Sequence, residues 1–417
     1  MSDRSTALRS NSHSADNPDA AVKKNILFVG QDEGLGREFQ ALAPGSEDSR
    51  TVQFARSGEE ALALCFTHSF DAVIADASLP GMNGPDFLDA FMQRQPKAMR
   101  IVTSDLADVE GTMKCIGHAH HHLLKPCGAA TLYEALRQGL AADAWRPSEP
   151  AQMLISQMRQ VPSPPEAYFR IVEEANSPTC SLEKIAGHIA EDPAVTAKVM
   201  QLANSAVFGL QLHIVHPVEA IGYIGLETTK ALVLLAHTFS SFDQIALAGF
   251  SVDDLWVHSV RTGQLAQRIA LFEDAGPEIV QEAFAAGLLH DVGKLLLAAN
   301  NPAFFANACK LARHLFCNLW EAEAQESVNV GHAELGATIL GIWGLPQPIT
   351  EAVALHHCPW RNQQHAFSPL TAVHVANILD HETYPDPDVI LPSQINGAYL
   401  KELGLEHRPE EWRKRLF

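Results

Sequence analysis

From Asn25 the chain alternates short apolar runs with amphipathic stretches. Ile26-Leu27-Phe28-Val29 is a continuous apolar run, the mark of a parallel strand buried on both faces. A helical period follows over 35–42, then a strand over 51–55, a helix over 59–66 and a strand over 72–75. A helix over 85–93, a strand over 100–102, a helix over 108–116, a strand over 122–124 and a helix over 129–140 complete the series. Five strands alternating with five helices predict a doubly wound, five-stranded parallel sheet with right-handed crossovers. From Met153 onward the strand period disappears. Apolar residues recur at helical spacing, as in Ile185, Ile189, Val195, Val199 and Leu202, and later Leu265, Ile269, Leu288 and Leu289. Asp192 before Pro193 reads as a helix start.

The expected organisation is therefore α/β followed by all-α. A polar, Ser/Asp/Asn-rich tail over 1–23 is expected to be disordered. The α/β domain covers 24–140, a linker 141–152, and the helical domain 153–380, with 381–417 as its C-terminal extension.

Composition narrows the function. At 417 residues and 45.4 kDa the chain has room for two or three domains. Its net charge of −19 disfavours direct nucleic-acid binding. The seven cysteines form no CxxC and fit a reducing compartment. The N-terminus lacks the apolar core of a signal peptide, and no apolar run is long enough to span a bilayer. A cytoplasmic location is expected, with no membrane attachment. Twenty histidines invite a search for metal sites, and 14 of them lie in residues 151–417.

Reactive groups in open α/β sheets collect at the carboxyl ends of the strands. Asp76, Ser104 and Lys125 stand at the ends of the third, fourth and fifth predicted strands. A carboxylate nucleophile, a hydroxyl and an ammonium suit phosphoryl transfer. Val73-Ile74-Ala75-Asp76-Ala77-Ser78-Leu79-Pro80-Gly81-Met82-Asn83-Gly84, with Ser104 and Lys125-Pro126, resembles the CheY-like receiver domain of two-component response regulators. The resemblance implies that Asp76 accepts the phosphoryl group, that Ser104 is the switch hydroxyl and that Lys125 binds phosphate. It also implies a sensor histidine kinase as donor and Mg²⁺ as cofactor. Receivers usually hold Mg²⁺ with two adjacent acids after the first strand, where this chain has Gly30 and Gln31. Either Asp32 substitutes, binding Mg²⁺ with Asp76, or the domain serves for docking. The His118, His120, His121 and His122 tract cannot converge along a strand and reads as a polar lead-in.

Gly287-Leu288-Leu289-His290-Asp291-Val292-Gly293-Lys294 is the sharpest feature of the helical region. A His-Asp pair in an apolar helix is costly to bury unless it is paired or ligates metal. His258 (with Asp254 four residues before it), His332 and the pair His356-His357 are further candidates. Imidazole and carboxylate suit Fe, Mn or Zn. This set resembles the HD superfamily of metal-dependent phosphohydrolases. Asp192 to Lys198, Leu202 to Ser205, Ile221 to Leu226, Trp256 to Ser259 and Trp343 to Pro346 bring it closest to the HDOD branch. The resemblance implies His258, His290, Asp291, His332, His356, His357 and Asn377 as candidate ligands and Lys294 as a candidate catalytic group. The superfamily's closing aspartate is replaced by Asn377, with Asp380 three residues on.

HDOD domains are commonly fused to receivers and mostly regarded as regulatory modules. The leading expectation is a response regulator in which phosphorylation of Asp76 controls an HDOD domain that contacts a downstream protein; a homodimer is admissible. The alternative is a receiver-controlled, HD-type metal phosphohydrolase, acting for example on a cyclic dinucleotide.

Overall fold

The computed structural model describes residues 24–416 apart from 43–49, 106–114, 116–117, 126, 141–144, 159, 163, 176, 178–179, 192, 204–213, 215, 243–250, 327–329, 363–365 and 386–392. The expected tail over 1–23, most of the helix over 108–116, Asp192, Pro126 and the Asn204-Ser205 segment lie outside the described residues.

The first domain consists of β1 (Lys24–Val29), α1 (Glu33–Ala41), β2 (Arg50–Ala55), α2 (Gly58–Leu64), β3 (Ala72–Asp76), α3 (Gly84–Arg94), β4 (Met99–Asp105), β5 (His121–Lys125) and α4 (Ala129–Leu140). The strands are all parallel, in the order β2-β1-β3-β4-β5. Alternation along each strand explains its two cores. Leu27, Val29, Val73, Ala75 and Val102 face Phe87, Leu88 and Phe91 of α3. Ile26, Phe28, Ile74, Met99 and Ile101 face Phe39 of α1 and Leu132 and Leu136 of α4. Burying each such aromatic or aliphatic side chain contributes roughly 1.5–3 kcal/mol. Asp76 is thereby fixed at the carboxyl edge, next to the ends of β1 and β4.

The remainder is helical: α5 (Glu149–Gln157), α6 (Glu166–Ala175), α7 (Leu182–Ala190), α8 (Pro193–Ala203), α9 (Pro217–Ile224), α10 (Leu226–Phe242), α11 (Val252–Phe272), α12 (Pro277–Leu289) and α13 (Val292–Asn300). Then come α14 (Pro302–Leu315), α15 (Leu319–Glu326), α16 (His332–Ile342), α17 (Gln347–Leu355), a 3₁₀ turn (Pro359–Arg361), α18 (Pro369–Thr383), α19 (Gly397–Glu402) and α20 (Arg408–Leu416). The expected linker thus already holds the start of α5, capped by Ser148. The C-terminal extension closes back on the domain, since Trp412 is fully buried and its Nε1 donates to Glu273 Oε1 at 3.0 Å. No helix is long and apolar enough to cross a membrane among the described residues.

Two backbone contacts shape the helical centre. Gly263 of α11 meets Gly287 of α12, where a Cβ on Gly287 would lie 2.7 Å from Gly263 Cα. That crossing brings His258 to the end of α12. Gly293 of α13 rests on α16, where a Cβ would fall 1.9 Å from His332 O. That contact sets Asp291 beside His332. The same α16 packs against β5 of the first domain, and its Glu334 accepts from Ser148 N at 2.9 Å.

Candidate metal centre

At the sheet edge, β3 and β4 pair Asp76 with Thr103. Thr103 Oγ1 donates to Asp76 Oδ1, and Lys125 Nζ lies 2.6 Å from the same oxygen. Ser104, expected as the switch hydroxyl, stands one residue further along β4. Its buried Oγ has no hydrogen-bond partner among the described residues. Successive strand side chains face opposite sides, so a shift of one residue moves a hydroxyl off the site. Thr103, missed in the sequence, is the hydroxyl on the carboxylate.

Asp32, the expected substitute for the missing acids, is used elsewhere. Its Oδ1 caps α1 by accepting from Leu35 N at 2.9 Å. Gln31 is exposed, and Gly30 lies so close to Asp76 that a Cβ there would fall 2.8 Å from Asp76 Oδ2. The residues present do not fit the carboxylate pair that a hard divalent ion needs, so the implied Mg²⁺ does not suit this edge.

The histidine tract does not form a site among the described residues. His118 Nδ1 lies 2.7 Å from Asp89 Oδ1, and Arg100 N donates to His120 Nδ1 at 3.0 Å. Burial, reinforced by the Arg100 guanidinium, pushes His120 down to about 2.

The helical domain gathers all the histidine ligands expected from the sequence. His258 comes from α11, His290 and Asp291 from the α12–α13 junction, His332 from the start of α16, and His356 and His357 from the end of α17. They form two groups around one carboxylate. His258, His290 and Asp291 make a three-residue group; Asp291, His332, His356 and His357 make a four-residue group. Within each, the ligand atoms lie within 4.8 Å of one another. Asp291 Oδ2 faces His290 Nε2 at 3.3 Å and His258 Nε2 at 3.5 Å. Its Oδ1 faces His332 Nε2 at 3.3 Å and His356 Nε2 at 3.9 Å.

Each ring is held by its other nitrogen. His258 Nδ1 is 2.7 Å from Asp380 Oδ2, His290 Nδ1 is 2.8 Å from Gly287 O, and His332 Nδ1 is 2.7 Å from Glu323 Oε2. His356 Nδ1 lies 2.7 Å from Val353 O, and His357 Nδ1 lies 3.3 Å from Ser393 Oγ. Carboxylate and carbonyl oxygens only accept, so the four rings they hold keep Nδ1–H and turn Nε2 lone pairs inward. Two such lone pairs, on His258 and His290, then face each other at 3.2 Å. That contact is repulsive unless a positive charge lies between. Asp291 Oδ1 and His356 Nε2 are also buried with no hydrogen-bond partner among the described residues. Inward-turned imidazoles anchored by outer carboxylates are the arrangement of a metal site. The donor set fits a divalent transition ion.

Electrostatics favour the ligand form of Asp291, His356 and His357 and oppose it at His332. Burial alone would raise the Asp291 carboxyl, but His290 and Lys294 hold it well below the usual carboxylate range. Burial, with the neighbouring imidazoles, drives His356 and His357 well below the ordinary histidine value. Burial also lowers His332, yet Glu323 and Asp291 outweigh it and its pKa is raised.

Asp254, Asp380 and Asn377 stand apart from the two groups. Asp254 is exposed in the first turn of α11, whereas His258, one turn on, is buried. Asp380 does not stand in as a ligand; it orients His258 and is itself gripped by Arg261 at 2.6 and 3.0 Å. Asn377 is buried on α18, and its Oδ1 accepts nothing among the described residues. Glu323 leaves only a faint mark in the sequence, an acid on the buried face of α15.

Residues 26–137 match the response regulator receiver domain and residues 161–359 the HDOD domain. An uncharacterized protein of Treponema pallidum is 26% identical over 255 residues, which cover 56% of this chain and 45% of that protein. The hydrogenase transcriptional regulatory protein HoxA of Cupriavidus necator is 29% identical over 122 residues, 29% of this chain and 25% of HoxA. The chain thus spans less than half the length of these curated relatives. The crystal structure of an HDOD domain protein from Geobacter sulfurreducens, 22% identical, superposes with a TM-score of 0.51 over 64% of this chain and 86% of that one, a likeness of fold. The chain therefore joins an N-terminal response regulator receiver domain to a C-terminal HDOD domain.

Proposed function

We propose that this is a receiver-regulated signalling protein whose HDOD domain holds divalent metal ions and hydrolyses a phosphoester. The observation that carries this reading is the convergence of five imidazole Nε2 atoms around Asp291, each ring held by its Nδ1 side. When bound, divalent ions supply a Lewis acid and a water activated near neutral pH. The chain's own residues do the rest. Asp380 and Glu323 keep His258 and His332 as Nδ1–H tautomers, which raises the basicity of the inward nitrogens. Lys294 and Arg261, both only partly buried, set cationic charge beside the cluster, suited to an anionic substrate.

Asp76 is the phospho-acceptor in this reading, a sensor histidine kinase is the donor, and Lys125 and Thr103 bind the phosphoryl oxygens. The receiver acts on the HDOD domain through β5, which packs on α16, the helix that begins with His332. A helix is stiff along its axis, so displacement at β5 reaches a ligand position.

The test is metal analysis of the purified chain, before and after reconstitution with Mn²⁺, Fe²⁺ or Zn²⁺, followed by assay on bis(p-nitrophenyl) phosphate and cyclic dinucleotides. Stoichiometric metal and turnover, both lost in Asp291→Ala, support the reading. Absence of metal after reconstitution ends it. A second reading, a metal-holding module that contacts a downstream protein without turnover, is favoured by Asn377, a neutral oxygen where a carboxylate is expected. Metal without hydrolysis selects that reading.

A further inference from the structure

The two halves of the cluster differ in what already occupies them. Lys294 Nζ lies 2.6 Å from Asp291 Oδ2, the oxygen that serves His258 and His290. Asp291 Oδ1, which serves His332 and His356, has no hydrogen-bond partner among the described residues, and neither has His356 Nε2. Both the carboxylate and the imidazole donor without a hydrogen-bond partner therefore lie in the four-residue group, while in the three-residue group the two imidazole lone pairs face each other and the carboxylate oxygen is capped by an ammonium. Outer-shell charge follows the same division. Asp380, behind His258, is neutralised by Arg261. Glu323, behind His332, is fully buried, and its Oε1 has no hydrogen-bond partner among the described residues.

We propose that Lys294 is a tethered stand-in for the second metal ion, so that the four-residue subsite fills first and the three-residue subsite fills only when the ammonium withdraws. This rests on the metal centre proposed above and adds an order of loading and a residue that sets it. An ammonium and a metal ion cannot share one carboxylate oxygen at close range; like charges repel and the lone pairs are limited. Lys294 is three residues from Asp291 in the first turn of α13, and its side chain is 15% exposed. It can therefore swing toward solvent without unfolding the helix.

The experiment is a Mn²⁺ titration of the full-length apo protein, with free Mn²⁺ read by electron paramagnetic resonance. The wild type is expected to take one equivalent tightly and a second at least ~10-fold more weakly. Lys294→Met should tighten the second equivalent roughly 10- to 100-fold and leave the first unchanged. Lys294→Arg, which keeps the charge, should retain the weak second step. Equal affinities in the wild type, or identical second steps in wild type and Lys294→Met, overturn the proposal while leaving the metal centre standing. No binding in any of the three proteins overturns the centre and the role of Lys294 together. Far-ultraviolet circular dichroism of each variant verifies that the fold is kept.

Discussion

Asp76 and Asp291 each hold a lysine ammonium at 2.6 Å, yet they sit in opposite kinds of site. Around Asp76 the structure places one ammonium, one hydroxyl and a glycine. Its charge is balanced locally, and the side where another acid would stand is filled by Gly30 backbone. Around Asp291 it places four imidazole nitrogens within 3.9 Å, with two further carboxylates behind the rings. There the donors outnumber the protons available to satisfy them. Capacity for a cation is thus set by the surplus of lone pairs around a carboxylate, not by the carboxylate itself. Among the described residues the receiver lacks that surplus and the HDOD domain has it.

The comparison breaks most visibly at Asp291, the one residue common to both subsites. Asp291→Ala should lower metal affinity by more than the 10- to 100-fold typical of an outer-shell loss. Equilibrium dialysis against Mn²⁺ checks this, and undiminished binding would mean that the imidazoles alone hold the ion. The contrast can also be erased from the other side. Gln31→Asp, which adds an acid without forcing a Cβ against Asp76, should raise Mg²⁺-dependent phosphate incorporation at Asp76 on the order of 10²-fold, as a restored electrostatic stabiliser does. Incorporation equal to the wild type would show that the missing acid is not what limits the receiver. Gly293→Ala is the next step down. With a Cβ 1.9 Å from His332 O, it should destabilise the HDOD domain by about 1–3 kcal/mol, read as a lower urea midpoint.

Much of this was legible in the chain. Continuous apolar runs marked β1 and β3 because those strands are buried on both faces, and the separated motifs pointed to Asp76, Lys125 and the histidines. What escaped was set by register or by long range. Ser104 and Thr103 are adjacent hydroxyls on opposite faces of β4, and only the pairing of Asp76 with Thr103 decides between them. Asp254 shares a helical face with His258, but it is exposed at the start of α11 while His258 is buried one turn on. Asp380 is 122 residues from the histidine it orients, so no spacing rule could pair them. Glu323 is nine residues from His332 but on a different helix, so no helical period links them.

A pH effect separates stability from metal. Burial, with Arg100 beside it, lowers His120 to about 2, and burial lowers His374 to about 4. His120 lies in the receiver and His374 in the HDOD domain, and neither is among the candidate ligands. Both are neutral in the folded chain at pH 7. An unfolded histidine takes up its proton near 6.5, so below that pH the unfolded state binds more protons than the fold. Their contribution to stability is therefore complete above 6.5 and is lost as pH falls toward the folded values. Each should cost about 1.4 kcal/mol per pH unit below 6.5 until its folded pKa is reached. Urea midpoints between pH 7 and 5 should fall, and fall less steeply in His120→Gln and His374→Gln. Unchanged slopes in both variants would show that acid lability arises elsewhere, at the Asp291 cluster itself.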